Sequence, residues 1–252
     1  MNNEIMDSKF ARLSAILIVE DTLYSTIERE IDELEFYFLT LENLIDEEER
    51  KEVSLLESAA TKWVPRWDEG DFWSENYPYW WKDVFATQLR FSFVVWAMAV
   101  LVHRLKSVCE NCAILIGKEW KGAKDDKGLV QRARSFLVQA VRFVKPDKGL
   151  WEKLETTYQI RDYLVHHGII APKPQVNDTS RWAKDSRRIR PLIAKTNGIE
   201  IRNYQLAIAP DFCKSIVSIM KELFVQLHAE HIELCERVRG DAEREAFRAR
   251  DV

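Results

Sequence analysis

Glycine and proline are scarce, at 8 and 7 of 252 residues. A many-turned all-β fold needs more of both at its reversals, so a few long elements are expected. Neither GxxxxGK[ST] nor GxGxxG occurs, which excludes the usual phosphate loops. No histidine has a glutamate three positions before it, so a ferritin-like di-metal bundle lacks its ligands. Only four cysteines are present: Cys109 and Cys112 form a CxxC, and Cys213 and Cys235 stand alone. A structural zinc would need two further ligands at suitable spacing, so these read as buried or half-buried free thiols of a cytoplasmic protein. The first residues hold only a short apolar run with acids on both sides, so no secretory leader is expected. The longest uncharged apolar stretch, Phe91 to Val102, falls short of the about 20 residues of a membrane span. It reads as a core helix, with no membrane partner.

What is present is globular: 46% hydrophobic and 31% charged residues. Apolar residues recur at helical spacing over 8–60, at Leu13, Ile16, Leu17, Leu23, Ile27, Ile31, Leu34, Phe38, Leu41 and Leu44. The run EEERKE either continues this helix or breaks it near Asp46. An aromatic connector from Trp63 to Trp81 holds five of the nine tryptophans; it either stacks single-stranded bases or closes the end of a core. Further helices are expected over 80–117, 129–144 and 150–167, with Leu154, Tyr158, Ile160, Tyr163 and Leu164 buried in the last. Residues 171–191 read as a polar, basic loop. Leu192 to Ala209 read as a β-hairpin turning at Asn197-Gly198. A last helix is expected from Pro210 to about Arg239, followed by a frayed charged tail. The whole is an all-α bundle of four to five long helices, a single domain over 1–252, with a small hairpin inserted before the last helix.

Charge is unevenly spread. Residues 1–75 carry 20 acids and 7 bases, whereas residues 118–190 carry 17 bases and 9 acids. The basic part either attracts phosphates or neutralises the acidic part, within one chain or across a dimer. His228 and His231, three apart on the last helix, fit two ligands of a metal, but no third is indicated. They read as ordinary surface or interface histidines.

Within the basic part lies RDYLVHHG, Arg161 to Gly168. One reading is a polar helix end: Asp162 and His166 are i,i+4 neighbours, a histidinium suits a helix C-terminus, and Gly168 suits the position after it. The other is a site. Arg161-Asp162-Tyr163-Leu164-Val165-His166 resembles the Rx4–6H signature of the HEPN family, with a polar residue after the arginine and the motif late in an all-α bundle. The resemblance covers the bundle loosely and this motif specifically; the insertion between 171 and 209 lies outside the minimal family pattern. It implies a metal-independent endoribonuclease without a cofactor, of the kind found among toxins and antiphage defence effectors. It implies RNA as substrate, a homodimer with motif helices facing each other, and an antitoxin or a nucleotidyltransferase as partner.

Under that resemblance His166 exchanges the proton of an RNA 2′-hydroxyl or of the leaving oxygen, Arg161 holds the phosphate, and Asp162 orients His166. His167 satisfies a wider spacing and is the alternate base. Arg181, Lys184, Arg187, Arg188 and Arg190 either track the RNA backbone or form a solvated or partner-binding surface. Residues five apart on a helix diverge by about 140°, so two motifs meeting at a two-fold axis would aim both groups better than one chain. The rival from another class is a HEPN scaffold that binds a nucleotide or a partner protein without cutting. The acidic N-terminal helix, which repels RNA, favours it.

Overall fold

The computed structural model describes residues 11–63, 73, 77, 79–122, 128–170 and 178–248. Most of the aromatic connector and the first residues of the polar stretch after Gly168 lie outside that set. Residues 11–18 are helical, Val19–Leu23 form a π-helical turn, and helix α1 runs over Tyr24–Trp63 without a break at Asp46. Within the acidic run, Lys51 Nζ lies 2.5 Å from Glu48, an i,i+3 pair that suits an uninterrupted helix. A second π turn, Trp80–Phe85, leads into α2, Ala86–Ile116. Helix α3, Leu129–Ser135, passes into a third π turn, Phe136–Val141. Then follow α4, Lys148–His167, and α5, Arg181–Ile193. Strands β1, Ile199–Arg202, and β2, Gln205–Ile208, precede α6, Pro210–Arg248. The fold is all-α with one small hairpin before the last helix, as the sequence predicts.

Several boundaries differ from expectation. The basic stretch expected as loop is helical from Arg181. Ser180 caps it, its side chain accepting from the Ala183 amide at 3.1 Å. The hairpin turns at Asn203-Tyr204, both at positive φ (46° and 62°), and not at Asn197-Gly198. That pair of left-handed residues is what a two-residue turn between twisted strands requires. Gly198 serves another purpose: at φ 77°, a Cβ there would lie 2.8 Å from the Phe212 amide nitrogen. The last helix continues past Arg239 to Arg248. Leu13, Leu17 and Leu44, expected in the core, are exposed, while Ala15, Ile16, Val19 and Ile45 are buried.

The described residues form two compact units. The first draws on Met1–Asp32, Ala97–Asp162 and Ile216–Val252. Its buried core includes Ile16, Ile27, Leu101, Leu105, Leu137, Trp151, Leu154, Met220 and Leu227. Burying each such large apolar side chain contributes about 1.5–3 kcal/mol before the entropy of ordering is set against it. Arg104 grips Glu30 with two guanidinium nitrogens, and Lys221 pairs with Asp32 at 2.8 Å. The second unit draws on Glu33–Trp96 and Tyr163–Ser215. Phe38 and Phe93 meet there with ring centroids 4.6 Å apart, among buried Leu34, Val94, Leu164, Ile189 and Leu206. Arg90 donates to both oxygens of Glu42, at 2.7 and 2.8 Å, and to the Ile208 carbonyl at 3.2 Å.

The 37-residue run Trp80–Ile116 is long and apolar enough to cross a bilayer, where the uncharged stretch Phe91 to Val102 alone is not. Its two arginines, Arg90 and Arg104, are each matched by a carboxylate from α1.

Candidate functional site

Helix α4 carries all four residues of the motif. Its start is fixed by Asp147, whose carboxylate accepts from the Leu150 amide at 2.8 Å. Leu154, Tyr158, Ile160, Tyr163 and Leu164 are buried, as the helical spacing predicts, and Leu150 and Trp151 are buried with them. Its end is fixed by Gly168, which sits at φ 63° and donates its amide to the Leu164 carbonyl at 2.8 Å.

Arg161 and Asp162 belong to the first unit. The Arg161 guanidinium carbon stands 5.8 Å from the centroid of the Tyr158 ring, a cation–π distance. The side chain is only 22% exposed, and its buried Nε has no hydrogen-bond partner among the described residues. The Asp162 carboxylate lies 3.7 Å from Nη1, which is beyond hydrogen-bond length. Arg161 lines a cleft of about 210 Å³ with Tyr158, Met98, Val102, His103 and Lys106. His103 and Lys106, on an exposed face of α2, are additions that the sequence did not mark. Their only signal was a polar i,i+3 pair inside a largely apolar helix.

His166 and His167 belong to the second unit. His166 is exposed, its ring 6.4 Å from that of His167 and steeply inclined to it. His167 is held: Nε2 lies 3.1 Å from Asp185 Oδ2, the ring packs 4.7 Å from Tyr163, and 13% of its side chain is exposed. Burial raises the Tyr163 phenol above its ordinary range, so it stays protonated and donates to the Ile170 carbonyl at 3.0 Å. Asp185 is thus a carboxylate beside the motif, and it also sits 3.8 Å from Arg181 Nε. The sequence gives no sign of it, because the stretch that carries it reads as loop.

Helix α5 sorts the basic residues. Ala183, Ser186, Ile189 and Ile193 are buried. Arg181, Lys184, Arg187 and Arg188 are exposed, and Arg190 is half-buried. Arg187 donates to the Asp178 carbonyl at 2.6 Å. Four cations therefore share the solvated side of one rigid element.

The histidine pair of α6 is unlike its expectation, since His231 is fully buried in the first unit. The Tyr24 hydroxyl lies 3.0 Å from Nδ1 and Asn111 Oδ1 lies 3.0 Å from Nε2. The amide oxygen can only accept, so Nε2 carries the proton and Tyr24 donates to Nδ1. Asn111 passes the chain on, donating to the Ala15 carbonyl at 3.2 Å. Burial, and to a lesser extent His228, push His231 down to about 4. The four cysteines are free and buried, as expected, and burial raises Cys109 and Cys112. No group of three metal-ligating side chains occurs among the described residues. Compared with known family models, curated proteins and solved structures, the chain matches none.

Proposed function

We propose that the protein is a metal-independent endoribonuclease of HEPN type that acts through Arg161 and His166. The observation that carries this reading is the motif helix itself. Helix α4 presents a half-buried arginine with an unsatisfied donor and, one and a half turns on, an exposed imidazole beside a carboxylate-held one.

In the proposed reaction an imidazole takes the proton of the RNA 2′-hydroxyl, and that oxygen attacks the adjacent phosphorus. The bond to the 5′-oxygen breaks, the leaving oxygen receives a proton, and a 2′,3′-cyclic phosphate and a 5′-hydroxyl result. Arg161 binds the phosphate and stabilises the charge that grows on its oxygens. His166 is the proton carrier because it is exposed; His167, tied to Asp185 and packed on Tyr163, is the alternate and the support of its neighbour. Asp162 lies beside the arginine. The basic side of α5 suits a phosphate track for the strand. A homodimer with facing α4 helices answers the divergence of the two groups along one helix.

The test is cleavage of an RNA panel in EDTA. Wild type should cut RNA and leave DNA of the same sequence intact, and His166→Ala and Arg161→Ala should each lose at least about 100-fold in rate. Normal cleavage by both variants would sink the reading. A second reading, a non-cutting scaffold that binds a nucleotide or a partner protein, is favoured by the exposed acids of α1, which repel RNA. It gains if wild type leaves the whole panel intact.

A further inference from the structure

The exposed side chains of α2 become purposeful once the cleft at Arg161 is considered. Between Ala97 and Ile116 the charged or protonatable side chains other than thiols are His103, Arg104, Lys106 and Glu110. Arg104 is taken up by Glu30. His103 and Lys106 instead line the same cleft as Arg161. The ion pairs of these cations are long: Glu110 is 3.7 Å from Lys106 and half-exposed, and Asp162 is 3.7 Å from Arg161. Exposed pairs at that length contribute little. The cleft, of about 210 Å³, is thus lined by two permanent cations, Lys106 and an Arg161 guanidinium standing 5.8 Å from the Tyr158 ring centroid, and by the His103 imidazole. Donors from three side chains lining one cleft suit the several oxygens of a phosphate better than the two of a carboxylate.

We propose that His103 and Lys106 of α2 complete, with Arg161, a phosphate subsite that holds the backbone of single-stranded RNA. The identity of the polyanion rests on the ribonuclease reading; the presence of an anion site does not. Lys106 and His103 bind the phosphate, and Tyr158 is a positioning residue that keeps the guanidinium in place.

A fluorescent 2′-O-methyl RNA oligomer, which binds but lacks the attacking hydroxyl, tests this by titration. Lys106→Ala and His103→Ala should each weaken binding roughly five- to tenfold. Lys106→Arg should restore most of the affinity, and Lys106→Ala should make the salt slope shallower by about 0.7. Lys221→Ala, which removes the partner of Asp32 away from the cleft, should bind as wild type. Both cleft side chains are exposed, so the variants should keep the wild-type Tm, and a lost affinity then reports the cleft. Wild-type affinity in both alanine variants, or no binding by wild type, overturns the subsite. Cleavage of ordinary RNA separates the two readings. If binding depends on Lys106 but nothing is cut, the ribonuclease reading falls and the subsite stands. If RNA is cut and Lys106→Ala keeps both kcat and KM, the subsite falls and the ribonuclease reading stands.

Discussion

At the scale of single residues, Tyr24, His231 and Asn111 set a direct link between pH and stability. His231 is held near 4 in the folded chain, against an ordinary value of 6.5. Between those values the unfolded chain binds more protons than the folded one, so stability falls as the pH falls from about 6.5 and levels off below about 4. The full loss is on the order of 3 kcal/mol, readable as a falling midpoint in urea titrations between pH 7 and 4. Replacing His231 by an apolar residue should flatten that dependence whatever it does to stability at pH 7. Tyr24→Phe removes the donor to Nδ1 and should cost about 1–3 kcal/mol at neutral pH. Gly198→Ala should cost a similar amount, about 1–3 kcal/mol, because the alanine meets both a left-handed backbone and the Phe212 amide. These dispositions were hidden in the sequence for a plain reason. A histidine spacing of three describes a surface pair as well as a buried one, and only the arrival of Tyr24 from 207 residues away decides which it is.

At the scale of elements, the π turn at Val19–Leu23 explains why helical periodicity failed at Leu13 and Leu17. Counting back from Tyr24 in steps of an α-helix places Leu17 and Leu13 on its buried face. The turn at Val19–Leu23 spends one extra residue, so the buried face moves to Ala15, Ile16 and Val19. The same periodicity succeeded in α4, which is regular throughout: its five expected core residues are all buried. Helix α5 failed for a different reason. Its apolar stripe is thin, with alanine and serine at two of four buried positions, and charge dominates the composition. The motif on α4 and the cations of α5 were legible in the sequence, whereas Asp185 beside His167 and, in the first unit, His103 and Lys106 of α2 were not. Ser180→Ala should destabilise α5 by about 1 kcal/mol through the lost cap. If α5 positions the strand, neutralising Lys184 and Arg188 together should weaken RNA binding uniformly across sequences and flatten its salt dependence.

At the scale of the whole molecule, the proposed dimer makes a prediction that no single-chain site shares. If each site takes Arg161 from one protomer and His166 from its partner, mixing and re-annealing inactive Arg161→Ala and His166→Ala proteins restores activity. Half of the dimers are then mixed, each with one intact site, giving about a quarter of the wild-type rate. A site formed within one chain gives no recovery. The first unit is also interleaved along the chain: its three segments are separated by the 64 residues of Glu33–Trp96 and the 53 of Tyr163–Ser215. Its closure therefore waits for Ile216 and beyond, where Met220, Leu227 and His231 reside. During synthesis, the Arg161 cleft belongs to a unit still lacking part of its core until α6 has emerged from the ribosome. A nascent or truncated chain that stops short of α6 would then carry Arg161 in a unit without the core residues that α6 supplies.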